Sequence, residues 1–301
     1  ANNNSTGTAI VGETNNNFTP PTNAVGTMYY YVVINQTGAG CSTISNPAQV
    51  IVNPIPVMTT QPVGSIVCLG GTPGQLSVGF ANGVGTPTYQ WFVNTTNSTV
   101  GASPVSGATN STFNPPSATA DTFYYFATIS FSSVSGCGNL TSDIAEVIIA
   151  PETTITVQPI PTQTFCVGGS VSAPLTVSYT GGTGLPSYQW YSNTTNSTTG
   201  GTAITGATNA SYTPSVFNTT GTYYYYVTVS LSGNGCDPAV STIAEIVVVN
   251  DPVVTSQPLV SQELCEGIAP ANLQVTVSGG VGIYSYQWYS NTLNNNTTGT
   301  L

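Results

Sequence analysis

The chain repeats itself, and the repeat limits its possible folds more than any other feature. Tyr-Gln-Trp stands at 89–91, 188–190 and 286–288, which places the three Trp residues 99 and 98 positions apart. A Tyr-rich segment recurs at 28–32, 123–127 and 223–227. The cysteines fall into two interleaved series, Cys41, Cys137 and Cys236 in one and Cys68, Cys166 and Cys265 in the other, and both keep nearly the period of the Trp residues. Gln-Pro returns at 61–62, 158–159 and 257–258, and Ile/Val-x-Gly-Ala-Thr-Asn at Val105–Asn110 and Ile204–Asn209, with a looser copy at Ile10–Asn15. Self-similarity at a fixed period marks an array of like units, here modules of about 98 residues.

Within a module the residue types select strands and turns. Thr, Val, Ile and Tyr favour strands, whereas Gly, Pro and Asn favour turns. Ser and Thr together supply more than a quarter of the chain, beside 32 Gly and 21 Pro. In the module from Pro151 to Asn250, strands are expected near 153–158, 175–179, 188–192, 210–213, 222–230 and 242–249. The turn signals between them are Gly-Gly, Asn-Thr-Thr-Asn and Gly-Asn-Gly. Alternation assigns the faces. Along the Tyr-rich strand, positions 28/123/223, 30/125/225, 32/127/227 and 34/129/229 are all apolar or aromatic and form a core face. Trp91, Trp190 and Trp288 share a face with Tyr89, Tyr188 and Tyr286 and are expected to pack against it. On the last strand Ala145/Ala244 and Val147/Ile246 point inward, which leaves Glu146/Glu245 on a solvated face. The expected fold is all-β: tandem two-sheet sandwiches in a linear array.

Charge removes whole classes of function. The chain has ten Asp+Glu and no Lys, Arg or His, for a formal net charge of −10. Nothing can neutralise phosphates, so nucleic acid is not an expected partner, and anionic lipid surfaces repel the chain. Catalytic centres built on His, on a Lys Schiff base or on a Cys–His pair cannot be assembled, and no enzyme activity is expected. No run of 18 apolar residues suits a membrane span, so direct insertion is not expected. Glu152, Asp237 and Asp251 lie near the linkers but lack the Asp-x-Asp-x-Asp spacing of a calcium loop. No metal and no cofactor other than covalent glycans is expected.

The Tyr-Gln-Trp strand, the Gly-Thr-Tyr-Tyr-Tyr-Tyr-Val strand at 221–227 and the Cys-x-Gly-Gly…Gly-x-Gly-Cys frame resemble tandem immunoglobulin-like and PKD-like repeats. Such repeats occur in large secreted surface proteins and adhesins of bacteria, especially Bacteroidota. The resemblance covers the whole chain and implies immunoglobulin-like sandwiches in an extracellular setting. Aligned on that frame, residues 53–150 and 151–250 are whole modules. Residues 1–52 match the C-terminal half of a module and residues 251–301 the N-terminal half. Each half sandwich would expose a core face, so the halves are expected to be completed head to tail, by adjoining repeats or by copies of the chain.

The cysteines depart from the immunoglobulin pattern. Cys166 lies too far ahead of Trp190, before the strand expected near 175–179, and Cys236 lies beyond the Tyr-rich strand. Regular cysteines in a cation-free chain imply an oxidising compartment. One reading pairs Cys68 with Cys137 and Cys166 with Cys236, leaving Cys41 and Cys265 to partners in the other halves of their modules. A rival reading bridges neighbouring modules, for example Cys68 to Cys236.

Fourteen of the 27 Asn lie in Asn-x-Ser/Thr sequons, including Asn110, Asn209 and Asn218. A cluster follows the Trp strand in every module: Asn3/Asn4, Asn94/Asn97, Asn193/Asn196 and Asn295/Asn296. Exposed loops suit glycosylation, and a sugar coat would keep so weakly charged a chain in solution. The outward face carries Tyr191, Tyr224 and Tyr226, which are expected either to stack on sugar rings or to lie under neighbouring strands. The functional expectation is a glycan-coated extracellular filament, stalk or adhesin shaft. The alternative is a carbohydrate- or receptor-binding adhesin.

Overall fold

The computed structural model describes residues 4–38, 40–132, 138–233 and 235–297, and among these there are strands and no helix. The chain divides into two units, 1–149 and 150–301, each of which contains one complete sandwich.

In the first unit, a segment ahead of the sandwich carries β1 (Gly26–Tyr30), β2 (Val33–Asn35), β3 (Ser42–Ile44) and β4 (Ala48–Val52). β1 pairs antiparallel with β4, and β2 with β3. The sandwich follows with β5 (Val57–Thr60), β6 (Ser65–Cys68), β7 (Leu76–Ser77), β8 (Gly79–Ala81), β9 (Pro87–Asn94), β10 (Ser103–Pro104), β11 (Thr112–Phe113), β12 (Asp121–Phe131), β13 (Leu140–Thr141) and β14 (Ala145–Ala150). The larger sheet has the order β10-β9-β12-β14-β6. Facing it are the short ladders β5–β8 and β7–β11, where β7 and β8 are two halves of one strand interrupted at Val78.

The second unit repeats this plan with β15 (Thr154–Val157), β16 (Thr162–Cys166), β17 (Leu175–Thr176), β18 (Ser178–Thr180), β19 (Pro186–Asn193), β20 (Thr202–Ala203), β21 (Ser211–Tyr212), β22 (Gly221–Leu231), β23 (Ala239–Val240) and β24 (Ala244–Val249). β25 (Val253–Ser256) and β26 (Thr276–Ser278) then pair with each other. The six expected strands of this module are present. β16 is an addition with a structural consequence: it runs parallel to β24 and ends with Cys166 opposite Val249. Cys166 therefore closes a strand rather than sitting in a loose turn.

The recurrent motifs prove to be framework. Trp91 and Trp190 are fully buried, each in a core of strand residues such as Tyr125, Ile129 and Val147 or Tyr225, Val229 and Ile246. A buried indole N–H needs a partner. Trp190 Nε1 donates to Asn209 O at 2.9 Å, and Trp91 Nε1 to Asn110 O at 2.9 Å. The residue before each Trp completes the cradle: Gln189 Nε2 donates to Ile204 O at 2.9 Å, and Gln90 Nε2 to Val105 O at 2.9 Å. Tyr-Gln-Trp and Ile/Val-x-Gly-Ala-Thr-Asn are thus the two sides of one device. The Gln of Gln-Pro also has a structural use, because Gln158 Oε1 accepts from Thr242 N at 2.8 Å and Gln61 Oε1 from Asp143 N at 2.9 Å. These bonds tie the first strand of each module to the approach to its last.

Among the described residues, the segments outside the two sandwiches have no such core. Trp288 is 49% exposed, and Met28, Ile34, Ile51 and Tyr286 are exposed as well.

Candidate functional site

Three surfaces are candidates for function: the sequon-rich turn after the Trp strand, the outer tyrosines and the cysteines at the module ends.

The turn is built on its first asparagine. Asn193 Nδ2 donates to Ser197 O at 2.7 Å and to Thr199 O at 3.0 Å. Its Oδ1 accepts from Thr195 N and from Thr195 Oγ1, both at 3.2 Å. Asn94 repeats the pattern, with Nδ2 donating to Ser98 O at 2.7 Å and Val100 O at 3.1 Å and Oδ1 accepting from Thr95 N at 2.8 Å. Both side chains are half-buried plugs. N-glycosylation would use the same nitrogen that holds the turn closed, so Asn94 and Asn193 are poor acceptors as folded. Asn291, at the equivalent place after Trp288, forms the same kind of turn by donating to Asn295 Oδ1 at 2.9 Å, although Asn-Thr-Leu is not a sequon. The repeat therefore keeps the asparagine for the turn. Asn97, Asn110, Asn196, Asn209, Asn218, Asn295 and Asn296 are exposed. Asn4 is half-buried, with Nδ2 donating to Ser45 O at 3.3 Å, and Asn3 lies outside the described residues.

The outer tyrosines do not form an open platform. Tyr191 and Tyr226 stack on each other with ring centroids 4.9 Å apart and planes 7° apart, and Tyr226 is only 4% exposed. In the first sandwich Phe92 and Phe126 occupy these positions and stack at 5.1 Å and 9°. The loop crosses the Tyr226 ring at Gly201, where an added Cβ would come within 2.8 Å of the Tyr226 ring edge and hydroxyl. In the first sandwich the equivalent of Gly201 is Ala102, and its methyl group goes with the smaller Phe126. The pair is packed under a loop. Tyr224 is half-exposed. Its counterpart Tyr124 donates to Glu146 Oε1 at 2.9 Å, and that hydrogen bond, with lesser contributions from burial and from the carboxylate charge, raises the phenol's pKa.

The cysteines divide by position. Cys68 and Cys236 are disulfide-bonded, whereas Cys166, half-buried, and Cys265, exposed, carry free thiols. The expected Cys166–Cys236 bridge is therefore not formed, and the strand layout gives the reason. Cys166 lies opposite Val249, at the end of the sheet where Gly221 faces Val248. Cys236 lies past the other end of β22, where Leu231 faces Pro186, and its Sγ stands 3.7 Å from Pro151 O. The length of β22 separates the two levels, about 33 Å, while a disulfide requires Cα atoms within about 7 Å. Cys41 is exposed, and Cys137 lies outside the described residues. Among the described residues no group of three or more His, Cys, Asp or Glu could hold a metal ion.

The pattern of one family, described as Domain of unknown function (DUF8696), matches residues 58–151 and again residues 154–250. The chain belongs to the DUF8696 family. Its two DUF8696 copies coincide with the two sandwiches whose motifs are described above. No curated protein matches the chain. Among solved structures it is similar to a three-immunoglobulin-domain fragment of titin, with 12% identity, 74% of this chain and 76% of that chain covered, and a TM-score of 0.43. It is also similar to extracellular domains 3–5 of Drosophila OTK, with 15% identity, 74% and 71% coverage and a TM-score of 0.42. For immunoglobulin domains 1–5 of Sidekick-1 the values are 17% identity, 87% of this chain, 54% of that chain and a TM-score of 0.40.

Proposed function

We propose that this chain is a segment of an extracellular structural array, a surface stalk or filament made of tandem immunoglobulin-like modules. The observation that carries the reading is the use to which the recurrent motifs are put. In both complete sandwiches Tyr-Gln-Trp, Ile/Val-x-Gly-Ala-Thr-Asn, Gln-Pro and the turn asparagine all hold the framework, and the aromatic pair on the outer face is packed rather than presented. A repeat whose fixed residues serve its own rigidity suits a mechanical role. Bonded cysteines favour an oxidising compartment. The apolar residues exposed outside the sandwiches, with Trp288 at 49% against 0% for Trp91 and Trp190, favour association with further modules of the same kind. An exposed sheet edge with an apolar face is otherwise prone to aggregate. Sugars on exposed asparagines such as Asn97 and Asn196 would supply the hydrophilic cover that a chain with 3% charged residues lacks.

The test is to image native material and weigh it under denaturing conditions. Beaded linear particles support the array, and compact isolated globules refute it. Within the array, a polypeptide near the 30.9 kDa of this chain means subunits joined head to tail, and a much larger one means a continuous repeat.

A further inference from the structure

We infer that Asn110 and Asn209 are acceptors of N-linked sugar, one in each complete sandwich, and that the sugar covers an open edge of the smaller sheet. The inference deepens the sugar cover proposed above and rests on that extracellular reading.

The argument begins with what the fold leaves unused. The last residue of Ile/Val-x-Gly-Ala-Thr-Asn serves the framework through its backbone: Asn110 O and Asn209 O accept the buried indole N–H, at 2.9 Å in each sandwich. Every residue type carries a main-chain carbonyl, so this use does not call for asparagine. Both side chains are exposed, and among the described residues neither amide makes a hydrogen bond. Asn94 and Asn193 differ, because their amide nitrogens close a turn.

The residues that follow complete an acceptor. Asn110-Ser-Thr and Asn209-Ala-Ser are sequons, which are modified on exposed segments. Their hydroxyl residues, Thr112 and Ser211, open β11 and β21 and are exposed. The next residues, Phe113 and Tyr212, turn inward onto Trp91 and Trp190, with ring centroids 5.8 Å apart in both sandwiches. Alternation along the strand therefore holds each hydroxyl outward.

The position also has a use for a sugar. Among the described residues β11 pairs with β7 alone and β21 with β17 alone, so each leaves one edge of the smaller sheet unpaired. Open edges invite pairing with another chain, and proteins commonly blunt them with charged side chains. Here no Asp or Glu occurs in 53–120 or in 153–236, and the chain has no Lys or Arg. A hydrated sugar beside the edge strand blocks pairing by bulk instead. The sequons are distributed to suit: within 53–150 and 151–250 every one lies at or after the end of the Trp strand, and none lies on the strands before it.

The donor class is an oligosaccharide on a polyprenyl diphosphate, used by a transferase of the secretion route. Nδ2 bonds to the anomeric carbon, and the bond from that carbon to the diphosphate oxygen breaks. The polyprenyl diphosphate leaves with the electron pair, and the Nδ2 proton passes to a base of the transferase.

The test is site-resolved mass spectrometry of native material. Chymotrypsin, cutting after aromatic residues, yields peptides 93–113 and 192–212. Electron-transfer fragmentation leaves a sugar on its residue and so separates Asn110 and Asn209 from the other sequons in those peptides. The expected result is a glycan on both. Asn209→Gln should remove one glycan and keeps the backbone carbonyl that holds the Trp190 indole. Ser211→Ala should remove the same glycan with the asparagine intact, and Ser211→Thr should retain it. The double variant Asn110→Gln/Asn209→Gln should sediment as larger species than the parent at equal concentration, and unchanged sedimentation would overturn the role given to the sugar at the edge. Sugar confined to other asparagines, or carried on Ser or Thr of these peptides, overturns the assignment and leaves the sugar cover standing. Peptides bare of sugar throughout the chain overturn both.

Discussion

Replacing Asn193 with alanine tests whether the sequon-rich turn is framework or acceptor. The side chain makes four hydrogen bonds, two from Nδ2 to Ser197 O and Thr199 O and two to Oδ1 from Thr195. At a net contribution of roughly 0.5–1.5 kcal/mol each they sum to about 2–6 kcal/mol. The turn is open to water, so the freed groups rehydrate and the lower end applies, about 2 kcal/mol, or roughly a 30-fold rise in the local opening equilibrium. Asn193→Asp keeps the acceptor oxygen but sets a carboxylate against two carbonyl oxygens, and should cost at least as much. Asn196→Ala, on an exposed side chain of the same loop, should stay within about 0.5 kcal/mol of the parent. Hydrogen exchange resolved to the peptide spanning β19 and β20 isolates this module from the rest of the chain. The reasoning fails if Asn193→Ala and Asn196→Ala exchange alike, or if native material carries a glycan on Asn193.

Two further predictions concern the outer pair and the core tyrosine. Gly201→Ala should destabilise the second module by about 1–3 kcal/mol through overpacking against Tyr226, and Tyr226→Phe in that background should restore most of the loss, since the first module pairs Ala102 with Phe126. Thermal melts of the single and double variants decide this, and additive effects would refute it. Burial, aided by Tyr212 and Tyr223, pushes Tyr225 up to about 12. A folded-state value above the unfolded one means that this group's stabilisation is complete below pH 10 and is lost as pH rises from 10 toward 12, by at most about 1.4 kcal/mol per pH unit. Urea midpoints of the parent should fall more steeply over that range than those of Tyr225→Phe.

The repeat, the core face and most strands of the second module are legible in the sequence because period and alternation are local signals. β16 is not, because its parallel partner β24 lies at the far end of the module and Thr-Gln-Thr-Phe-Cys carries only a weak alternation, Gln163 and Phe165 against Thr162 and Thr164. Without that strand Cys166 reads as a turn residue, and the reach between the module ends cannot be judged. The turn asparagines read as glycan acceptors although a contrary signal exists: Asn291 keeps the position after Trp288 while losing the sequon, which is what a structural asparagine does. The tyrosine pair has its own signal, because Phe92 and Phe126 at the same positions lack the hydroxyls a sugar-reading face would use.

The central claim is that the recurrent residues of the repeat hold its own framework. Hydroxyl-radical footprinting of native material, with Trp91 and Trp190 as reporters, addresses it most directly. Both indoles are fully buried and donate to the carbonyls of Asn110 and Asn209, so both should resist oxidation until their modules unfold. Oxidation of either at the rate of an exposed indole in folded material would contradict the account.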